Sequence, residues 1–245
     1  MKKITFEVCV DTIKGAIDAV NNGADRLELC DALGIGGTTP SAGLMKSASK
    51  LGVPIYAMIR PRGGDFIFNS EDMDVMLHDI DRCRHYGMTG IVIGMSCENG
   101  ALDTEKLKKL ITNANGMGVT LHRVFDVTPD TSEALEQAIS LGIERILTSG
   151  QSETALGGAF KIKSIIDAAA DRISIMPCSK INPLSLKDLF NIFKVSEIHS
   201  SCRTLVSSPY TVNAPSMAPG DDFSRHITDP VKVKAITNYL KNLDD

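Results

Sequence analysis

Polar and aliphatic residues alternate along five short stretches of the chain. They are Thr5-Phe6-Glu7-Val8-Cys9-Val10, Arg26-Leu27-Glu28-Leu29-Cys30, Ile55-Tyr56-Ala57-Met58-Ile59-Arg60, Val119-Thr120-Leu121-His122 and Ser196-Glu197-Ile198-His199. A period of two is that of a β-strand, so each stretch has one aliphatic face and one face carrying Glu, Cys, His or Arg. Helix-like segments separate the stretches, which predicts parallel strands covered by helices on the aliphatic side. The reactive faces then share an interior. Such groups are costly there unless they pair, bind a metal or do chemistry.

The same pattern, read end to end, predicts strands over residues 4–10, 25–30, 54–60, 90–94, 119–123, 144–148, 173–176 and 196–199. Helices fall between them. Ser41 reads as the N-cap of the second helix and Gly52 as its stop. Ser70-Glu71 opens the third helix, which ends at Gly87, and Asp103 starts the fourth. A last helix covers about 229–242. Eight strands in strict alternation with eight helices predict an α/β fold, a (β/α)8 barrel, and about 250 residues is the usual length of one. The 245 residues therefore read as a single domain, with 207–229 as a flap or long loop before the last helix.

In such barrels the active site lies at the C-terminal ends of the strands and in the loops that follow. Glu7, Cys9, Glu28, Cys30, Arg60, His122, Glu197 and His199 are placed in strands near that end. Arg62, Asp65, Asp126, Ser149, Ser201 and Arg203 come just after. The expectation is one mouth holding all of them, with Arg26 set apart as a structural partner at the closed end.

Composition narrows the function classes. Hydrophobic residues make up 43% and charged residues 23%, and the net charge is −4. No basic run exceeds two residues, which argues against nucleic acid as a partner. No apolar run approaches the roughly 20 residues of a membrane span. The start, Met1-Lys2-Lys3-Ile4-Thr5, lacks the apolar core of a signal peptide. Six widely spread cysteines without a Cys-x-x-Cys fit neither a zinc ribbon nor a secreted disulfide scaffold. The expectation is a reduced, cytoplasmic protein, and nothing in the sequence argues against a homo-oligomer. The loop Gly34-x-Gly36-Gly37 lacks the full dinucleotide fingerprint and reads as a plain turn, so no nucleotide cofactor is expected.

Several motifs carry a resemblance. Glu7-Val8-Cys9-Val10, Gly23-Ala24-Asp25-Arg26-Leu27-Glu28-Leu29-Cys30, Thr39-Pro40-Ser41-Ala42-Gly43, Met58-Ile59-Arg60-Pro61-Arg62-Gly63-Gly64-Asp65-Phe66, His122-Arg123-Val124-Phe125-Asp126 and Arg145-Ile146-Leu147-Thr148-Ser149-Gly150 resemble the copper homeostasis protein CutC family, from residue 4 to about 203. The resemblance implies a TIM barrel, a cytosolic location and a role in copper tolerance. It also implies copper(I) binding by the two early cysteines, here Cys9 and Cys30. Two positions depart from the family pattern. The turn after the seventh strand, glycine-rich in the family, reads Met176-Pro177-Cys178-Ser179-Lys180-Ile181. Cys202 stands where alanine is expected and places another thiol near the mouth.

Each signal has a plainer alternative. Thiolates are soft ligands that select Cu(I), but Cys9 and Cys30 also suit a small apolar core. Glu7, Glu28, His122, Asp126 and His199 offer general acid–base chemistry or a divalent-metal site, or else a satisfied polar network. Arg60 and Arg62, with Asp65, Ser149 and Arg203, can hold a carboxylate or phosphate. The alternative for the two arginines is neutralisation of Glu28 and Asp65. Cys83 and Cys97 read as roleless, and His78 and His85 as solvated. Two functions follow: a copper-binding protein, or an enzyme (an isomerase, epimerase or lyase) acting on a small polar or anionic metabolite.

Overall fold

The computed structural model describes residues 3–209 and 223–243. The strands are β1 (Thr5–Val10), β2 (Arg26–Leu29), β3 (Ile55–Met58), β4 (Gly90–Ile93), β5 (Gly118–Leu121), β6 (Arg145–Thr148), β7 (Ser174–Pro177) and β8 (Glu197–Ser200). Between and after them lie α1 (Ile13–Asn21), α2 (Ala42–Ala48), α3 (Ser70–His85), α4 (Thr104–Ala114), α5 (Thr131–Ser140), α6 (Ala159–Ala169), α7 (Pro183–Ile192) and α8 (Pro230–Lys241). The eight strands are parallel and ordered 7-6-5-4-3-2-1-8, giving the (β/α)8 barrel that the alternation predicts. The barrel is not fully laced: among the described residues no ladder joins β7 to β8.

Caps account for where the helices begin. Ser41 accepts from the Leu44 N–H, Asp103 from Lys106 and Asp130 from Ser132 and Glu133. Each satisfies a backbone donor that the first helical turn leaves free. Asn69 and Asp72 form a reciprocal capping box at α3.

The two strand faces divide the core. Phe6, Val8, Val10, Leu27, Leu29, Ile91, Ile93, Leu121, Ile146 and Ile198 pack outward against the helices in one large cluster. The inward residues form two small clusters, Cys9, Cys30, Tyr56, Met58 and Val92 on one side and Leu147, Met176 and Cys178 on the other. The remaining inward positions are largely ionic, as the alternation requires.

The stretch read as a flap is different. Arg225–Thr228 forms a strand, β10, that pairs antiparallel with β9 (Arg203–Val206). Residues 225–228 are therefore strand and not loop, and Arg203 is a strand residue. The strand signal in Arg225-His226-Ile227-Thr228 is only four residues long, and its partner lies about twenty positions away, so no local turn announces the pairing. Residues 207–209, 223–224 and 229 lie outside any strand or helix, and residues 210–222 lie outside the described residues.

Candidate functional site

Two ionic layers lie across the barrel. The lower one is built from the start of the strands. Arg26 donates to Glu7 Oε2 at 2.5 Å and also to Glu197. Arg145 reaches Glu197 Oε2 at 3.1 Å and Thr120 Oγ1 at 3.1 Å. Both guanidinium groups lie over the Tyr56 ring, at 5.3 and 4.5 Å from its centre. Tyr56 crosses the interior because β4 carries Gly90 there: a Cβ at Gly90 would meet the ring at 2.1 Å. Glu197 was expected at the mouth, but it opens β8, level with Thr5, and belongs to this lower layer. Glu7 sits one step higher, opposite both Arg26 and His199. Burial alone would raise its carboxyl; His199 and Arg26 overcome that and hold it down at about 2.

The upper layer lines a cavity of about 370 Å³ at the C-terminal ends of the strands. Of the residues singled out in the sequence, Cys9, Glu28, Arg60, His122, His199, Ser201 and Arg203 line it. At the floor, donor atoms of Cys9, Glu28 and His199 all lie within 4.8 Å of one another, and all three residues are buried. His199 Nδ1 donates to Glu7 Oε1 at 2.8 Å, which turns Nε2 toward Glu28 Oε2, 4.0 Å away. Burial opposes the His199 charge, but Cys9 and Glu28 beside it, with the Glu7 bond, raise its pKa well above the ordinary value. Burial raises Glu28, against the pull of His199, and the Glu7 charge adds to the rise. The Cys30 thiol donates to Glu28 Oε2 at 3.5 Å, and burial together with that carboxylate keeps it protonated. Cys30 therefore stands beside the trio, not in it.

His122 caps the short 3-10 turn Arg123–Val127: the Val124 N–H donates to its Nδ1 at 3.0 Å. Its ring lies 4.8 Å from that of Phe66, and burial plus the neighbouring Arg60 charge pushes its pKa down to about 3. Gly94 makes room for the ring, since a Cβ there would come within 2.3 Å of it. Arg60 clasps the loop after β2, donating through Nη1 to the carbonyls of Ile35 (3.1 Å) and Gly37 (2.9 Å), and through Nη2 to that of Gly64 (2.8 Å). It does not neutralise Glu28. Four buried side-chain atoms around this cavity have no hydrogen-bond partner: Glu28 Oε1, Arg60 Nε, His122 Nε2 and Arg203 Nε.

The other expected residues are elsewhere. Asp126 accepts from Arg123 Nε (2.7 Å), Thr148 Oγ1 (2.6 Å) and the backbone N–H groups of Ser149 and Gln151. That clamps the loops after β5 and β6 and leaves it outside the cavity. Ser149 is buried in the same clamp, its hydroxyl 2.5 Å from the Ser152 carbonyl oxygen. Arg62 and Asp65 pair with each other at 3.0 Å on the exposed side of their loop. Cys202 does not line the cavity: it packs in the aliphatic core with its Sγ 3.6 Å from Oγ of Ser200, which does line it, and burial pushes its thiol up to about 11. Sequence reasoning passed over Arg123, Phe66 and Cys178, which do line the cavity. Cys178 had a readable signal, because it shares the inward parity of Ser174 and Met176.

Comparison with known proteins gives the family and the fold. The profile of the CutC family matches residues 4–204. The chain belongs to the CutC family. A family protein CutC of Rhizobium meliloti (strain 1021) is 47% identical over 242 residues, covering 98% of this chain and 97% of that one. The copper homeostasis protein cutC homolog of Homo sapiens is 38% identical over 244 residues, covering 97% and 89%. The crystal structure of CutC from Streptococcus agalactiae superposes with a TM-score of 0.77 at 31% identity, covering 81% of this chain and 98% of that one. A phosphoribosylanthranilate isomerase of Thermotoga maritima, 14% identical with a TM-score of 0.57, shares the barrel alone. Among the described residues no helix is long and apolar enough to cross a membrane.

Proposed function

We propose that this protein serves copper homeostasis by binding one copper ion at the floor of the barrel mouth, through Cys9 and His199 with Glu28 beside them. The observation that carries the reading is the trio itself: sulfur, imidazole nitrogen and carboxylate oxygen within 4.8 Å in a buried pocket. Thiolate and imidazole together suit copper, and thiolate favours Cu(I). The Glu7 carboxylate on His199 Nδ1 is the outer support that fixes a ligating histidine's ring direction, and copper would take the place of the proton that the raised His199 pKa keeps on Nε2 in the metal-free protein. The family's copper homeostasis members supply the choice of metal. Cys30 enters as a neighbour that Glu28 holds in its thiol form, which favours Cys9 as the primary sulfur ligand.

The test is a Cu(I) competition titration of the reduced, metal-free protein. About one Cu(I) should bind. Cys9→Ser and His199→Gln should each weaken it at least about tenfold, some 1.4 kcal/mol, and Cys30→Ser should weaken it less. Equal affinity of wild type, Cys9→Ser and His199→Gln would remove the trio from copper handling.

A further inference from the structure

A copper site accounts for the floor of the cavity but not for its walls. Among the described residues, Arg60, Arg123, Lys180 and Arg203 line it against only Glu28 and Glu153. Arg123 is held by Asp126. Arg60, Lys180 and Arg203 form no ion pair among the described residues. Arg60 is only 4% exposed and gives its two terminal nitrogens to backbone carbonyls, which leaves its Nε–H without a partner and its charge without a counterion. Arg203 Nε is buried without a partner in the same way.

His122 completes the set. Because the Val124 N–H donates to Nδ1, that nitrogen carries the lone pair, and the proton of the neutral ring sits on Nε2. Nε2–H is thus a donor, buried and unmatched. Buried polar groups in native proteins are almost always satisfied, so unmatched donors on three residues that line one cavity, together with the excess of cations in that lining, point to an anionic ligand.

We propose that the barrel mouth binds a small organic oxyanion, a carboxylate or a phosphate ester, whose charge is met by the side chains of His122, Arg60 and Arg203, which line the cavity above the Cys9–Glu28–His199 floor. His122 is then a neutral hydrogen-bond donor, not the proton-transferring group that its residue type suggests. A fixed neutral donor stabilises negative charge on a ligand oxygen without surrendering its proton. Its depressed pKa agrees with that role. The inference does not rest on the copper reading, because none of the three donors is a metal ligand in it.

The experiment uses the full chain freed of metal by chelation, so that its result is independent of copper. Inorganic phosphate and malonate are titrated separately by calorimetry at constant ionic strength, into wild type, His122→Phe and Arg203→Ala. At least one of the two anions should bind wild type saturably, one per chain, and each substitution should weaken it about tenfold or more. Preference for phosphate points to a phosphate ester as the natural ligand, and preference for malonate to a carboxylate. Long-range nitrogen-15 NMR should show His122 protonated on Nε2, with that signal moving on saturation. Arg203 lies at the rim, so its variant stands as a test even if His122→Phe folds poorly. The proposal is overturned if neither anion binds wild type saturably, if both variants bind as wild type does, or if His122 carries its proton on Nδ1.

Discussion

His122 shows how one backbone contact sets the chemistry of a side chain. Its ring is buried, faces Arg60 and is fixed by Val124, so the folded protein keeps it neutral down to about pH 3 against an ordinary value of 6.5. The unfolded chain takes up that proton below about 6.5. Between the two values the unfolded state binds more protons, so stability falls as pH drops through this window and is flat in this group above it. Urea unfolding at pH 7 and pH 5 should therefore show a pH loss smaller by about 2 kcal/mol in His122→Phe than in wild type. The comparison is unaffected by any constant loss from the missing cap. An identical pH loss in both proteins would mean that the ring titrates as if exposed.

Among the elements, the seam is the distinctive feature. Strands β2, β3 and β4 each have a ladder on both sides, whereas among the described residues β7 pairs only with β6 and β8 only with β1. A side-chain bond spans the gap: Ser200 Oγ donates to the Ile181 carbonyl at 3.0 Å. Ser179 and Lys180 both have left-handed φ, at 79° and 55°, in the turn that the family resemblance expects to be glycine-rich. Non-glycine residues in that region carry a conformational cost, and here two stand in succession beside the unlaced seam. Amides of β7 should exchange faster than those of β2–β4 in native-state hydrogen exchange. Equal protection would show that β7 and β8 pair in solution.

For the molecule as a whole, the two ionic layers predict opposite responses to the same substitution. Glu7 is paired with Arg26 and His199, so Glu7→Gln leaves a buried arginine with less than its charge requires. It should cost about 3–5 kcal/mol. Glu28 accepts one weak bond from Cys30, leaves Oε1 unmatched and is pushed by burial toward its neutral form. Glu28→Gln should leave stability unchanged or raise it, while impairing whatever ligand function the mouth has, since functional groups commonly carry a stability cost. Thermal or urea denaturation of the pair decides it. Equal, large losses would make both layers structural.

The period-two alternation by itself determined the strands, their parallel order and the inward parity of Glu7, Cys9, Glu28, Tyr56, Met58, His122 and His199, because side-chain direction in a strand follows from sequence position alone. Cap residues such as Ser41 and Asp103 likewise marked helix starts to within a residue, since a cap acts on its own next turn. Height within the barrel was not legible. It depends on stagger between strands, which put Glu197 in the lower layer and His199 at the cavity floor only two residues apart. Pairing across long separations was equally hidden: β9 with β10, Arg26 with Glu197, and Asp126 turned into a loop clamp. Which polar groups find partners, and which stay unmatched around the mouth, is a property of neighbours brought together by the closed barrel, and only the tertiary structure decides it.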